Sequence, residues 1–228
     1  MLRTFTIVDP EVHTKSLVQD GTLVEAGSLL AIVTGSARSL LAAERVALNL
    51  LGQLSGVATA TRELVDQIAG TSASLVDTRK TVPGLRALQK AAVQAGGGQN
   101  HRMGLYDAVL IKDNHIAVAG SAEAAVKQAR DAVGPGASIE IEVESTEQLE
   151  AAIAAGADIV MLDNMSVNEM REAVLITDGR CRTEASGGIT IATIREVAKT
   201  GVDMISVGWL THSAPALDVA LDLEYLEG

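Results

Sequence analysis

From residue 73 onward the chain repeats one pattern: a short apolar run of strand length, then an Ala-rich stretch with helical spacing. The strand-like runs lie at 73–77, 107–112, 138–143, 158–162, 182–185 and 204–207. The helix-like stretches between them lie at 84–95, 122–133, 146–155, 168–176 and 190–199. Alternation of this kind implies parallel strands joined by crossover helices, with the helices outside. Six strands are fewer than a closed barrel of this type uses, so the pattern predicts an α/β barrel that is either incomplete or has a strand the pattern does not reveal.

The first part of the chain reads differently. Over 1–36, short apolar runs alternate with turn signals: Phe5, Ile7 and Val8, then Asp20-Gly21, then the run 29–33. This predicts antiparallel strand material. Residues 37–69 read as helical, with Leu41, Leu48, Leu51 and Leu54 near helical spacing, and Ser55-Gly56 marks a break in that helix. Hydrophobic residues make up 47% of the chain, but the aromatics are only Phe5, Tyr106, Trp209 and Tyr225. The core is therefore expected to be Val, Ile, Leu and Ala.

The net charge of -11 argues against generic nucleic-acid binding, which needs clustered Lys and Arg on phosphates. It leaves room for a small anion in a local basic pocket. The lone Cys181 rules out an intrachain disulfide and fits a reducing cytoplasm. Asp9, Pro10 and Glu11 interrupt the first apolar run too early for a secretory signal. No stretch approaches the roughly 18 apolar residues of a membrane span.

The residues after the strand ends carry the chemistry, because that edge of an α/β barrel is where ligands bind. Residues 79–115 hold Arg79, Lys80, Arg86, Lys90, Arg102 and Lys112 against Asp107 and Asp113, a local +4 inside an acidic chain. His101 and His115 lie there too. Arg86 and Lys90 are equally well read as a solvated helix face. Arg79, Lys80 and Lys112 follow buried-type strands, and a forked guanidinium or an ammonium there suits a compact, highly charged anion. Gly96-Gly97-Gly98, followed at once by Gln99-Asn100-His101-Arg102, would let backbone and side chains approach one ligand. Glu142 and Asp163 end neighbouring strands and suit Mg²⁺ held jointly with substrate phosphates. An internal salt bridge from Glu142 to Lys112 or Arg102 is the other reading, and Glu140 and Glu144 share its strand parity. Ser186-Gly187-Gly188 leading into a helix, with Gly208 on the next strand, has the form of a barrel phosphate site. Cys181, His13 and His212 suggest nothing by themselves.

Taken together, these motifs resemble the quinolinate phosphoribosyltransferases, also called carboxylating nicotinate-nucleotide pyrophosphorylases. The resemblance is carried by Asp77-Thr-Arg-Lys-Thr-Val-Pro-Gly-Leu-Arg86, Gly96-Gly-Gly-Gln-Asn-His-Arg-Met-Gly-Leu-Tyr-Asp107 and Leu110-Ile-Lys-Asp-Asn-His115. Ala43-Glu-Arg-Val-Ala-Leu-Asn49, Leu54-Ser-Gly-Val-Ala-Thr59, Met161-Leu-Asp-Asn164, Glu184-Ala-Ser-Gly-Gly188 and Thr211-His-Ser-Ala-Pro215 agree, so it runs from about residue 20 to the C-terminus. It implies an N-terminal α/β sandwich, here truncated (1–70), an open α/β barrel (71–212), and a C-terminal segment (213–228) returning to the first unit. That family usually has several dozen residues before the segment that opens this chain.

The resemblance also implies a function: phosphoribosyl transfer from phosphoribosyl pyrophosphate to quinolinate, with decarboxylation, in a cytoplasmic homodimer using Mg²⁺. It implies that Arg45, Arg79, His101, Arg102 and Lys112 bind quinolinate, with Arg45 reaching into the partner's site. Thr78, Lys80, Glu142 and Asp163 would serve phosphoribosyl pyrophosphate and its metal. Ser186, Gly187, Gly188 and Gly208 would hold the 5′-phosphate. Lys80, Lys112, Glu142 and Asp163 would stand closest to the reaction. A paralogue acting on another anion and a Schiff-base aldolase using Lys112 are rival readings; the intact Asp77–Lys80 and Asn100–Arg102 runs count against the first, and the Arg cluster and paired carboxylates fit the second less well. A truncated chain that binds without turnover is a third.

Overall fold

The computed structural model describes residues 1–224; Tyr225 and the end of the expected C-terminal segment, 225–228, lie outside the described residues. The chain opens with α1 (Leu2–Val8), β1 (His13–Ser16), β2 (Ala31–Thr34) and the 31-residue α2 (Ala37–Gln67). The barrel part follows as β3 (Ser74–Val76), α3 (Arg86–Ala95), β4 (Val109–Ile111), α4 (Asp113–Ala119), α5 (Ala122–Val133) and β5 (Ile139–Val143). It continues with α6 (Thr146–Ala154), β6 (Ile159–Asp163), α7 (Val167–Thr177), β7 (Arg182–Ser186), α8 (Ile194–Ala198), β8 (Met204–Ser206) and α9 (Trp209–His212).

The six strands predicted from the alternation all form, in one parallel sheet ordered β3-β8-β7-β6-β5-β4. Its edges β3 and β4 are not paired to each other, so the barrel is open. Beyond β3 the chain adds a single parallel bridge, Val76 to Gln99. The helices begin where serine can accept a backbone N–H: Ser36, Ser121, Ser145 and Ser166 cap α2, α5, α6 and α7. Ser166 and Glu169 close a reciprocal capping box. The main core lies between sheet and helices, where Ile139, Ile141, Val160, Leu162, Ala185 and Ile205 meet Val126, Leu149 and Ile194.

Two local expectations fail. Residues 5–8 are helical, not extended, because Phe5 turns onto α2 and is buried with Val12, Leu40, Ala43 and Ala47; tertiary packing overrides weak local preference. The two-stranded β1-β2 sheet is the strand material of this region. Ser55-Gly56 does not break α2, which runs through unbroken. Gly52 and Gly56 are instead where the C-terminal segment crosses the helix. Leu217 N–H donates to the Gly52 carbonyl at 2.9 Å, and a Cβ on Gly56 would overlap the Pro215 carbonyl oxygen. The segment from Ala214 thus lies back along the helix that carries both hydrophobic clusters.

A methyl group at residue 56 should therefore do harm in spite of its helix propensity. Gly56→Ala is expected to cost about 2 kcal/mol net, as overpacking does, against a propensity gain of about 1 kcal/mol. Urea denaturation measures it, with Gly136→Ala as the control, since a Cβ there would meet nothing within 4 Å.

Candidate active site

Alternate residues of a strand face the same side, so every second residue of each strand points into the barrel. Val76, Ile159 and Met204 form a buried apolar cluster there. Glu140, in register with Ile159, faces inward on β5, and Glu184 pairs with Met161 on one side and Met204 on the other. At the mouth come Glu142, which pairs in register with Met161, and Asp163, which pairs with Ser186. Parity was the open question for the acidic run. Glu140 and Glu142 share the inward face at different depths, and Glu144 lies past the strand end, exposed.

The cations arrive from three separate stretches. Arg79 and Lys80 follow β3, Lys112 ends β4, and Arg102 follows the Gln99 bridge. The Arg102 guanidinium is part-buried and donates weakly to the Ala108 carbonyl at 3.5 Å. Burial and the adjacent Arg79 charge lower its pKa, while Glu140, Asp107 and Glu142 oppose them. Two guanidinium groups side by side call for an anion between them. Lys112 Nζ lies 2.5 Å from Glu142 Oε1, an internal ion pair at the mouth. Asp163 Oδ2 accepts from the Asn164 amide at 2.8 Å.

Arg86 and Lys90 are not a solvated face. Lys90 is fully buried; its ammonium pairs with the buried Asp77 and donates to the His101 carbonyl at 2.9 Å. Burial pushes the Asp77 carboxyl up in pKa, and Lys90 and the His101 N–H, at 2.9 Å, pull it back. Arg86 donates to Thr81 Oγ1, the Met103 carbonyl and the Arg79 carbonyl at 3.0, 3.2 and 3.1 Å. Both side chains brace the two cation-bearing loops against α3. Helical spacing of Arg86 and Lys90 fits either face, and only the packing of α3 decides which.

His101 Nε2 lies 2.9 Å from Glu140 Oε2 and 3.2 Å from Glu184 Oε2, with both carboxylates buried. Burial alone would lower the imidazole pKa; contact with Glu140 and Glu184 overcomes it and raises the value to about 10. Burial pushes Glu140 up to about 7, against the pull of His101. The Arg102 N–H donates to His101 Nδ1 at 2.8 Å. That contact requires a bare Nδ1, so it opposes full protonation of the ring. Both ring nitrogens thus face protein atoms.

The glycine triplet serves packing. A Cβ on Gly96 would overlap the Ala58 carbonyl of α2, and one on Gly98 would come within 2.8–2.9 Å of Val93 and Thr61. The expectation of ligand approach there gives way to helix–loop contact. At Ser186-Gly187-Gly188 both glycines have positive φ (100° and 60°), and a Cβ on Gly187 would overlap Asn164 Oδ1. The helix does not start directly after them: a turn through Thr190–Thr193 intervenes, held by Thr190 N–H on Thr193 Oγ1, and α8 begins at Ile194. Trp209 Nε1 donates to the Ile189 carbonyl at 3.0 Å and steadies this loop. A Cβ placed on Gly208 would lie 3.0 Å from Lys80 Cδ, 3.5 Å from Thr78 Oγ1 and 3.8 Å from His212 Nε2. Thr78, Lys80, Gly208 and His212 therefore meet at one point. Thr211 Oγ1 ties this corner to the Lys80 carbonyl at 2.8 Å. His212 carried no signal in the sequence, since its neighbours come from the far edge of β3.

Arg45 stands apart. Its side chain is 75% exposed on α2, with Glu44 at 3.6 Å. Among the described residues no helix is long and apolar enough to cross a membrane.

Comparison with known proteins agrees with this architecture. Residues 57–222 match the family model of the quinolinate phosphoribosyl transferase C-terminal domain, and residues 1–55 match that of its N-terminal domain. The probable carboxylating nicotinate-nucleotide pyrophosphorylase of Bacillus subtilis is 48% identical over 219 residues, covering 96% of this chain and 76% of that protein. The carboxylating nicotinate-nucleotide pyrophosphorylase of Mycobacterium leprae is 48% identical over 90% of this chain and 73% of its own. The crystal structure of NadC from Streptococcus pyogenes superposes with a TM-score of 0.94 at 44% identity, over 99% of this chain and 80% of that one. With both domain models matched in order and relatives this similar over nearly the whole chain, the protein belongs to the quinolinate phosphoribosyltransferase family.

Proposed function

We propose that this chain catalyses phosphoribosyl transfer from phosphoribosyl pyrophosphate to quinolinate, with decarboxylation, yielding nicotinate mononucleotide, pyrophosphate and CO₂. The observation that carries the reading is the convergence of Arg79, Arg102 and Lys112 with Glu142 and Asp163 at one barrel mouth, in a chain of net charge -11. Relatives that share the whole barrel bear the name of this activity.

In this reading the adjacent carboxylates of quinolinate replace Glu142 as the partner of Lys112 and sit between Arg79 and Arg102. Held there, the ring nitrogen faces the ribose carbon, so that positioning supplies much of the rate. The nitrogen's lone pair forms the new bond as the bond to pyrophosphate breaks, through an oxocarbenium-like state. The pyridinium so formed draws the bonding electrons of the neighbouring carboxylate into the ring; CO₂ leaves and a proton takes its place. Thr78, Lys80 and Gly208 hold the phosphate end, with Ser186, Gly187 and Gly188 across the mouth. Glu142 and Asp163 are inward-facing oxygen donors on adjacent strands and suit a hard cation that keeps substrate phosphates in its shell. Mg²⁺ bound there would neutralise charge on the departing pyrophosphate.

Arg45 supports a shared site. It shares a face of α2 with Leu41, 55% exposed, and its own side chain is 75% exposed. A homodimer in which Arg45 enters the partner's site uses both residues. Residence in the cytoplasm rests on the single unpaired Cys181.

The primary test is formation of nicotinate mononucleotide and CO₂ from quinolinate, phosphoribosyl pyrophosphate and Mg²⁺. Arg102→Ala is expected to raise the quinolinate KM by roughly 10²-fold, the scale of losing a desolvated charge partner, and to leave the phosphoribosyl pyrophosphate KM nearly unchanged. Equal loss of both affinities would count against the assignment. Arg45→Ala and Lys112→Ala chains, each inactive alone, should regain roughly a quarter of wild-type activity when unfolded and refolded together, because heterodimers then hold one intact site of two. No recovery would place Arg45 in its own subunit's site.

A further inference from the structure

We infer that Glu184, with Glu140, is a positioning residue for the quinolinate half of the site: it pins the His101 ring inside the barrel, and His101 fixes the backbone from which Arg102 reaches the mouth. This rests on the quinolinate chemistry proposed above.

Glu184 is an expensive residue where it stands. It is fully buried and pairs in register with the apolar Met161 and Met204. Neither of its carboxylate oxygens makes a well-aligned hydrogen bond among the described residues. A buried carboxylate without full partnering destabilises a fold, and an apolar side chain of similar size would pack there at least as well. Among the described residues its ion-pair partner is His101, 3.2 Å away, and the like-charged Glu140 carboxylate lies beside both.

His101 has nothing left for a substrate. Its N–H donates to Asp77 at 2.9 Å, and its carbonyl accepts from Lys90 at 2.9 Å. Nδ1 accepts from the Arg102 N–H at 2.8 Å, and Nε2 lies between the two carboxylates. A ring held at every polar atom acts as a pin. The Gln99 bridge to β3, Gln99 Nε2 on Ser74 Oγ at 3.3 Å and the His101 backbone on Asp77 and Lys90 hold the segment up to residue 101, so what the ring adds is the acceptor for the next N–H, that of Arg102. If the ring turned away from Glu184, the Arg102 N–H would lose its acceptor and the guanidinium its direction. Glu140 shares the grip but also acts on the Arg102 charge directly, so Glu184 is the cleaner probe.

The test compares Glu184→Met and Glu184→Gln in the full chain, with and without Arg102→Ala. Thermal stability and both substrate KM values are measured for each. Glu184→Met is expected to be at least as stable as wild type. Its quinolinate KM should rise on the order of 10- to 100-fold, as displaced binding groups do, with the phosphoribosyl pyrophosphate KM within about twofold. Glu184→Gln keeps an acceptor toward His101 and should stay near wild type. On the Arg102→Ala background, Glu184→Met should add less than about twofold, because coupled residues do not add. Three results overturn the inference: a Glu184→Met chain less stable than wild type, which would make Glu184 a fold brace; an unchanged quinolinate KM; or the same fold-loss with and without Arg102. A wild-type chain that makes no nicotinate mononucleotide fails earlier, at the reading itself, and takes the inference with it.

Discussion

Lys90 and Asp77 meet where neither could stay alone. Each side chain has no exposed surface, and an unpaired charge there would be expelled or neutralised. Together they join three pieces of chain: the end of β3, the middle of α3, and the backbone of His101 through its N–H and carbonyl. Arg79 and Lys80 lie just after one end of this joint and Arg102 just after the other. The positions of Arg79, Lys80 and Arg102 are thus set by a fully buried ion pair. Arg86 repeats the arrangement nearer the surface, gripping the carbonyls of Arg79 and Met103.

The second constraint is charge. An acidic protein that must hold a doubly charged acid and a pyrophosphate has to keep its own carboxylates from occupying the cations. One carboxylate, Glu142, does pair with a mouth cation, Lys112, while burial first and the Arg79 charge second lower the Arg102 pKa. The negative layer of Glu140 and Glu184 lies deeper and is drawn toward His101. The interior therefore sets buried apolar residues and carboxylates side by side beneath a basic mouth, because every second residue of a parallel strand points inward.

Much of this was legible in the residues. Strand–helix alternation is a local property, so the six-stranded open sheet and the strand ends bearing Lys112, Glu142, Asp163 and Ser186 could be read directly. Short apolar runs were less secure: Phe5 to Val8 reads as a strand but coils because α2 offers Phe5 a buried seat. Glycine was the least legible. Gly52, Gly56, Gly96 and Gly98 look like breaks or ligand loops, and they are places where another backbone or side chain comes too close for a Cβ.

The sequence by itself determined the fold class, the family and the cluster of charges, because periodicity and motif order are carried by neighbours along the chain. Only the tertiary structure decided which of those charges protein groups take up. Arg86 and Lys90 turn inward as braces, both nitrogens of His101 are taken by protein atoms, Arg45 stays exposed on α2, and His212 joins Thr78 and Lys80 at Gly208. Burial and partnership depend on contacts between residues far apart in the chain, and no local pattern encodes which pairs will meet.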